Sequence, residues 1–277
     1  MSMSPEAFHT FLGLCVASAA AAIARSQVSH KPSEPIEGQA GKDVVWVPTS
    51  PELIAKMLDM ARVTPQDYVI DLGSGDGRNV IAAAKRGSRA LGVEYDAGLI
   101  EVSRRTAAME GVAARATFVQ GDLYEADISQ ATVLLLFLLP ENLHDLTPKF
   151  LELTPGTRIV TNRFAIEGWS ADEISRVGGD SELCCTALLY VVPAQVGGTW
   201  RLEESEIRLE QIFQMLSGTL HVDGISTTVE GRLNGDEVTF TALGDEYVGC
   251  VRGDFITGKI NGGAGGDWSA VRVGAST

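Results

Sequence analysis

One short segment constrains the fold of this chain more than any other part of the sequence. Tyr68–Leu72 is an apolar, β-prone run, and it leads directly into a glycine-rich turn. The glycines of the turn occupy alternate positions: Gly73, Gly75 and Gly77. A short apolar run bounded by glycine predicts a buried strand of a parallel sheet. Glycine then lets the backbone turn sharply and approach a ligand where a Cβ would clash.

The residues after this turn extend the pattern of a nucleotide-type cofactor site. A helix over residues 78–85 would direct its N-terminal amides at a ligand in the turn. A second short strand ends at Glu94, 17 residues after Gly77. A carboxylate at the end of the second strand can accept hydrogen bonds from ribose hydroxyls. Strands and helices continue to alternate up to about residue 162, which predicts an α/β fold with a doubly wound sheet.

The spacing of the glycines distinguishes between cofactors. A dinucleotide fingerprint has the form G-x-G-x-x-G, whereas here the third glycine comes one residue early and Arg78 holds the sixth position. Asp76 lies inside the turn, where it would repel a pyrophosphate. S-adenosylmethionine (SAM) carries a sulfonium and an α-ammonium, which Asp71 and Asp76 could attract. The turn, together with a second acidic turn at residues 121–123, therefore favours SAM.

These motifs resemble the cofactor motifs of class I SAM-dependent methyltransferases. The resemblance implies that Asp71 and the first two glycines flank the methionine part of SAM and that Glu94 holds the ribose. It also implies that Asp122 reaches the adenine amine, with Leu123 beside it. The cofactor-binding candidates are Pro48, Thr49, Asp71, Gly73, Ser74, Gly75, Asp76, Gly77, Glu94, Tyr95, Asp122, Leu123 and Leu138.

A narrower resemblance covers roughly residues 47–192. The stretches VPTSPELIAKMLDMA, FVQGDLYEAD and VLLLFLLPENL resemble bacterial relatives of the ATP-synthase c-subunit lysine methyltransferases. This implies a Rossmann-like, mostly parallel seven-strand sheet and methyl transfer to a protein lysine. The chain departs from the family after the fifth strand, where Thr161, Asn162 and Arg163 replace the expected S-H-D-like triplet. A small-molecule acceptor and a SAM-binding module without catalysis therefore stay open as alternatives.

The acceptor groove should lie at the carboxyl ends of the fourth and fifth strands, where open α/β sheets place their ligands. The candidates there are Leu139, Pro140, Glu141, Asn162 and Arg163. Methyl transfer needs an acceptor aligned with the S-methyl bond and free of its proton, so no strong general base is required. No catalytic residue is assigned. His144, one turn into a predicted helix, is a candidate base, but a histidine there is expected at the surface or in a capping position.

The charge and the cysteines of the chain indicate which class of substrate and which cellular compartment to expect. The chain carries 36 acidic and 22 basic residues, a net charge of −14. Such a surface repels phosphate backbones, which argues against a nucleic-acid substrate. Cys15, Cys184, Cys185 and Cys250 form no C-x-x-C pair and no metal-ligand spacing, so no metal is expected. They are interpreted as buried thiols in a reducing, cytoplasmic compartment.

The N-terminal region divides into two segments before the predicted methyltransferase domain at residues 44–194. Residues 1–28 contain an apolar run of signal-peptide or anchor type, for which an alanine-rich helix is the alternative. Membrane contact through residues 7–24 and export by a signal are both open. Residues 29–43 form a polar linker.

Two local sequence patterns predict where one helix begins and where another breaks or kinks. Thr49 and Ser50 are interpreted as the cap of a helix beginning at Pro51, with a capping box between Thr49 and Glu52. A later helix over residues 141–151 is expected to break or kink at Pro148.

The texture of the sequence changes after residue 194. Residues 195–277 contain short alternating runs separated by glycine, which predict a small antiparallel β domain. It is interpreted as a structural or dimerising appendage, with ligand or substrate recognition as the alternative. The oligomeric state is not predicted.

Overall fold

The computed structural model describes residues 46–178, 186–263 and 265–274. The predicted leader at residues 1–28 and linker at residues 29–43 lie outside these ranges. Cys15, Cys184 and Cys185 lie outside them as well. Within the described ranges, none of the helices combines the length and the apolar character that a transmembrane span requires.

The first part of the described chain alternates between strands and helices. In chain order the elements are α1 (Pro51–Met60), β1 (Tyr68–Leu72), α2 (Arg78–Lys85), β2 (Arg89–Glu94), α3 (Ala97–Met109), β3 (Ala116–Gln120), β4 (Val133–Leu136), α4 (Pro140–Leu151), β5 (Arg158–Asn162), β6 (Glu173–Arg176) and β7 (Thr186–Val191). The strands form one sheet in the order β3-β2-β1-β4-β5-β7-β6. Strands β1 to β5 pair in parallel, and β7 pairs antiparallel with both β5 and β6. This confirms the predicted doubly wound, mostly parallel seven-strand sheet.

The central strands are apolar along their whole length because helices cover both faces of the sheet. All four residues of β4 are buried, as are Val69 to Leu72 of β1. One apolar cluster packs α1 and α2 against the sheet, and a second packs α4 against the opposite face. The strand order reverses between β1 and β4, and the crevice at such a switch point is where this class of sheet binds ligands.

The cap of α1 differs from the sequence prediction. Ser50 is the N-cap, and its Oγ accepts a hydrogen bond from the Leu53 amide at 3.3 Å. The predicted capping box between Thr49 and Glu52 is wrong, because a cap at Ser50 puts Leu53 at the third helical position. Thr49 is instead buried, and its hydroxyl oxygen accepts a hydrogen bond from the Asn162 side-chain amide at 3.2 Å.

Helix α4 runs through Pro148, so the predicted break is wrong. A proline inside a helix costs about 3 kcal/mol because it removes one backbone hydrogen bond and crowds the preceding turn. Leu143, Leu146 and Phe150 lie on both sides of Pro148 and are almost fully buried against the sheet. Since each such side chain contributes about 1.5–3 kcal/mol by burial, packing outweighs the local penalty.

The second part of the described chain is a closed, antiparallel, eight-stranded barrel. Its strands are β8 (Gly198–Leu202), β9 (Ser205–Ile212), β10 (Met215–Val222), β11 (Ile225–Asn234), β12 (Glu237–Ala242), β13 (Asp245–Arg252), β14 (Phe255–Asn261) and β15 (Gly266–Arg272). Each strand pairs with its neighbours along the chain, and β15 returns to β8 to close the ring. The predicted all-β domain is therefore confirmed.

Trp200 and Trp268 lie in the barrel interior with Phe240 and Tyr247. Cys250 is only half-buried, which corrects the prediction of a buried thiol. Its neighbours on β13 alternate between the interior and the outer face, and Cys250 falls on the outer face.

A buried acid holds the opposite edge of the sheet together. Asp67 accepts hydrogen bonds from the Thr64 amide and the Thr132 hydroxyl, both at 2.7 Å, and it pairs with Arg158 of β5. Burial alone raises the pKa of Asp67, but the hydrogen bonds from Thr64, Thr132 and Arg158 together lower it below its usual value. This network links the start of β1 to the start of β5.

We expect Asp67 to make the protein sensitive to acid. A carboxyl whose pKa is lower in the folded chain contributes stability that is complete above its unfolded pKa of about 3.9 and is lost as the pH falls through the folded value. Asp67→Asn should lower the free energy of unfolding by about 1 to 3 kcal/mol at neutral pH. Denaturant titrations of both proteins between pH 3 and pH 7 measure this. A stability difference that stays constant down to pH 3 would contradict it.

Candidate functional site

The turn after β1 is fixed to the neighbouring strand by its backbone. The amides of Gly73 and Ser74 both donate to the Val93 carbonyl, at 2.8 and 3.0 Å. The three glycines have φ values of +73°, +55° and +79°, in the left-handed region that disfavours other residues. The chain therefore passes through a compact loop and enters α2 at the end of β1.

The Glu94 carboxylate joins this loop to the end of β2. One of its oxygens accepts a hydrogen bond from the Gly75 amide at 2.8 Å, and the other accepts one from the Asp96 amide at 2.9 Å. Asp96 in turn caps α3, since its side chain accepts from the Gly98 and Leu99 amides. Because a carboxylate offers about four acceptor positions, these two bonds hold Glu94 in place and leave capacity for a ligand.

The two acids of the loop have different surroundings. Asp76 makes a two-pronged ion pair with Arg78, with its shortest contact at 2.7 Å. Asp71 is 2% exposed and accepts a hydrogen bond from the neutral Asn79 side chain at 3.1 Å. Burial raises the pKa of Asp71 well above its usual value, and repulsion from Glu94 and Asp76 adds to this despite the Asn79 hydrogen bond. Asp71 is thus the acid whose charge a cationic ligand would stabilise most.

A strap formed by residues 46–50 crosses this edge of the sheet. At one end Trp46 lies against the loop, since a Cβ on Gly75 would come within 2.4 Å of its indole nitrogen. In the middle, the Thr49 carbonyl accepts a hydrogen bond from Arg78 at 3.0 Å. The Thr49 hydroxyl accepts from Asn162 of β5, as described above. Trp46 was missed by the sequence analysis, and its position directly before V-P-T was the only available signal.

The remaining cofactor candidates line the same edge at different depths. Leu138 is buried, and its side chain would lie 3.2 Å from a Cβ on Gly73. Leu123 is also buried, whereas Tyr95 is 54% exposed. The Asp122 carboxylate accepts a hydrogen bond from the Tyr124 amide at 2.9 Å. Pro48 lies half-buried in the strap.

The first group of acceptor-groove candidates forms the exposed N-terminus of α4. Leu139 is the N-cap, and Pro140 and Glu141 begin the helix. Asn142, which the sequence analysis missed, holds this turn because its side-chain oxygen accepts from the Leu139 amide at 3.3 Å. Its amide group donates to the Tyr124 hydroxyl at 2.7 Å. An asparagine three residues after a helix start was the signal for this role.

The second group follows β5. Asn162 is 2% exposed, and Arg163 has a left-handed φ of +72°, which is rare for a bulky residue. The Arg163 guanidinium lies 5.0 Å from the centre of the Phe164 ring. His144 is exposed, as expected, and its ring nitrogen lies 3.4 Å from Glu167.

Unpartnered polar atoms mark the same edge. In the part of the chain that the structure describes, four buried side-chain polar atoms have no hydrogen-bond partner. Three of them belong to the loop, to α2 and to the end of β5: Ser74 Oγ, Asn79 Oδ1 and Asn162 Oδ1. A buried polar atom without a partner costs about 1–3 kcal/mol, so their grouping indicates an edge built for a polar ligand.

Comparison with known proteins shows what this site belongs to. Residues 71–173 match the family model described as the ANTKMT methyltransferase domain. A protein-lysine N-methyltransferase of Saccharolobus islandicus is 41% identical over 152 residues, which cover 54% of this chain and 94% of the relative. The chain belongs to this family of SAM-dependent methyltransferases.

Two further similarities place the methyltransferase more closely. The human ATP synthase c-subunit lysine N-methyltransferase is 35% identical over 164 residues, covering 54% of this chain and 70% of the relative. A crystal structure of an RNA methyltransferase from Salinibacter ruber with bound S-adenosyl-L-homocysteine is 40% identical, with a TM-score of 0.51. It is matched over 54% of this chain and 96% of its own. The fold and the cofactor, SAM, are those that the sequence motifs imply.

The residues at the edge of the sheet fit SAM. Glu94 keeps acceptor capacity for ribose hydroxyls, and Asp71 offers a buried carboxyl to a cationic group. Ser74, Asn79 and Asn162 have polar atoms that a ligand could satisfy. Asp76 pairs with Arg78, which also holds the strap through the Thr49 carbonyl. A direct role of Asp76 in attracting the cofactor stays a prediction.

We expect Glu94→Ala to weaken binding of S-adenosylhomocysteine by about 2 to 4 kcal/mol, because the variant loses charged hydrogen bonds to the ligand and the support of the Gly75 amide. Titration calorimetry measures this loss. Glu101→Ala, an exposed acid on α3, is the matched control and should bind as the unmodified protein does. Unchanged binding by Glu94→Ala, or tighter binding of NAD than of S-adenosylhomocysteine, would refute the assignment.

Proposed function

We propose that this protein transfers a methyl group from SAM to the side-chain amine of a lysine in a protein partner. The observation that carries the proposal is the match to the Saccharolobus islandicus protein-lysine N-methyltransferase, which extends over 94% of that protein. The ATP synthase c-subunit lysine methyltransferases point to the same acceptor chemistry. The residues at the carboxyl edge of the sheet are compatible with a lysine amine as the acceptor.

The cofactor is held by the loop and the ends of β1 and β2. Glu94 binds the ribose hydroxyls, and Asp71 lies beside the cationic methionine part. Asp122 and Leu123 take the adenine side, and Leu138 packs under the loop beside Gly73. When bound, SAM supplies an activated methyl group that a nucleophile can take without a strong general base.

The acceptor side is formed by the end of β5 and the start of α4. Asn162 Oδ1 accepts a hydrogen bond from the lysine N–H and so orients the nitrogen lone pair, while Thr49 holds the other end of the same amide. An asparagine cannot take up the proton, so its contribution is alignment. Phe137 and Phe164, with ring centres 6.5 Å apart, add apolar surface that lowers the pKa of an approaching ammonium by removing water.

Electrostatics favour a cationic acceptor. The net charge of −14 attracts lysine-rich surfaces at long range and repels phosphate backbones. Glu141 is exposed at the start of α4, beside the proposed groove. The similar Salinibacter protein is named as an RNA methyltransferase, so RNA is the competitor that an experiment must include.

The acceptor class can be identified directly. The purified protein is incubated with methyl-labelled SAM and with separate protein, RNA and small-metabolite fractions of a lysate. Label in the protein fraction that is recovered as Nε-methyl-lysine after acid hydrolysis would support the proposal. Label confined to RNA, to carboxylates or to small thiols would overturn it.

The rate of lysine methylation should rise between about pH 7 and pH 9. Only the neutral amine can attack, and a lysine starts from a pKa of about 10.4, so a higher pH increases the reactive fraction. Added salt should slow the reaction at low acceptor concentration because it screens the attraction between opposite charges. A pH-independent rate measured under the same conditions would argue against an amine acceptor.

Asn162→Ala should lower kcat by about 10- to 100-fold, because the amine loses the group that aligns it. Binding of S-adenosylhomocysteine, measured by calorimetry, should change little. Asn261→Ala, on the barrel, is the matched control for the loss of an asparagine. Full activity in Asn162→Ala would remove this residue from the acceptor site.

A further inference from the structure

The barrel contacts the methyltransferase domain through the turn between β9 and β10. Four of the two-residue turns between barrel strands contain a glycine: Asp223–Gly224, Gly235–Asp236, Leu243–Gly244 and Gly253–Asp254. The turns Glu203–Glu204, between β8 and β9, and Phe213–Gln214, between β9 and β10, contain none. Phe213 nevertheless has a left-handed φ of +52°. Asp223 and Leu243 hold the first positions of their turns with similar φ values of +49° and +55°, so what distinguishes Phe213 is the contact that its side chain makes.

Both side chains of this turn are directed into the other domain. The Phe213 ring stacks on Trp169, with ring centres 5.1 Å apart and planes at 12°. Gln214 is 2% exposed, and its side-chain amide donates to the Ser170 carbonyl at 2.6 Å. Arg232 of β11 adds an ion pair with Asp172. The turn and β11 therefore make direct contacts with the segment from Trp169 to Asp172.

That segment is the last part of the loop that follows β5, which we call the acceptor loop (residues 162–172). Residues 163–172 contain no helix or strand, so side-chain contacts and a few isolated backbone hydrogen bonds hold their conformation. The rings of Trp169 and Tyr190 pack edge to face, with ring centres 5.4 Å apart and planes at 62°. The Tyr190 hydroxyl accepts a hydrogen bond from the Ile166 amide at 3.0 Å. The Trp169 amide donates back to the Ile166 carbonyl at 3.2 Å.

The contacts continue without interruption to Asn162. Tyr190 belongs to β7, which pairs with β5 and places Leu188 opposite Thr161. The Thr161 hydroxyl donates to the Phe164 carbonyl at 2.7 Å, and the Phe164 amide donates to the Asn162 carbonyl at 2.8 Å. A chain of direct contacts thus runs from the barrel turn, through Trp169 and Tyr190, to the end of β5.

We propose that the barrel is a positioning element for methyl transfer, with Phe213 and Gln214 as the positioning residues that fix the acceptor loop at residues 162–172. The barrel lies outside the matched family domain, which ends at residue 173, and it supplies none of the cofactor-loop contacts described above. Its effect is therefore on the acceptor side. The proposal rests on the proposed function only in assigning the loop after β5 to the acceptor.

The test compares Phe213→Ala with Ile212→Ala. Ile212 is the preceding residue and is 72% exposed, so its loss reports the general effect of altering the turn. Hydrogen–deuterium exchange should be about 10-fold faster for the amides of residues 163–166 in Phe213→Ala and unchanged in Ile212→Ala. Phe213→Tyr, which keeps the stacked ring, should restore slow exchange. Equal exchange in the Ala variants would overturn the proposal.

Activity provides the second readout, with labelled SAM and lysate protein as the acceptor. Phe213→Ala should raise the apparent KM for acceptor protein by about 10-fold, while the Kd for S-adenosylhomocysteine stays within about twofold. Should Phe213→Ala fail to fold, Gln214→Ala removes only the hydrogen bond to Ser170 and should change the same two readouts in the same direction. A weakened cofactor affinity with unchanged acceptor KM would overturn the proposal.

A double-mutant cycle tests the route of the coupling. Tyr190→Phe removes the hydroxyl that accepts from Ile166. In the combined Phe213→Ala/Tyr190→Phe variant, the exchange rate of residues 163–166 should rise by less than the product of the rises in the two single variants. Rises that multiply would mean that the two residues act independently and would overturn the route. The exchange readout does not depend on the acceptor, so label on RNA with faster loop exchange would refute the lysine acceptor alone.

Discussion

The Glu94 carboxylate is the interaction on which the rest of the site depends. By accepting the amides of Gly75 and Asp96, it joins the glycine loop, the end of β2 and the start of α3 in one rigid unit. Without these hydrogen bonds, the loop would lose the restraint that holds its glycines in the left-handed conformation. The remaining lone pairs of the carboxylate then face a ligand in a fixed direction, which reduces the entropy that binding must overcome.

The same edge of the sheet contains buried polar atoms without hydrogen-bond partners. A ligand can satisfy these atoms, while the rest of the sheet keeps the fold stable. Ser74, Asn79 and Asn162 each leave one polar atom unpartnered among the described residues. Two apolar clusters, which pack helices on both faces of the sheet, offset the free-energy cost of these unpartnered atoms. Arg78 offsets part of the charge by pairing with Asp76 and by holding the strap through the Thr49 carbonyl. Stability is thus concentrated in the sheet and reactivity at its carboxyl edge.

Elements with a strong local pattern could be predicted from the sequence. β1 and α2 were predicted with the bounds that the structure has, because an apolar run and a glycine turn define them. β6 was missed because it is an edge strand with mostly exposed, polar residues, and its pairing with β7 is a tertiary property. Pro148 misled the helix prediction because burial at distant positions decided the outcome. Partners far apart in sequence, such as Asn162 with Thr49 and Phe213 with Trp169, could not be foreseen, since no periodicity links them.

The central claim is that the carboxyl edge holds SAM through Glu94 and presents Asn162 to the acceptor. A crystal structure with bound S-adenosylhomocysteine tests it most directly. We expect both ribose hydroxyls within hydrogen-bond distance of Glu94, the adenine beside Asp122 and Leu123, and the Asn162 side chain on the side of the sulfur. A ribose held by other residues, or an Asn162 side chain covered by the cofactor's adenine, would contradict it.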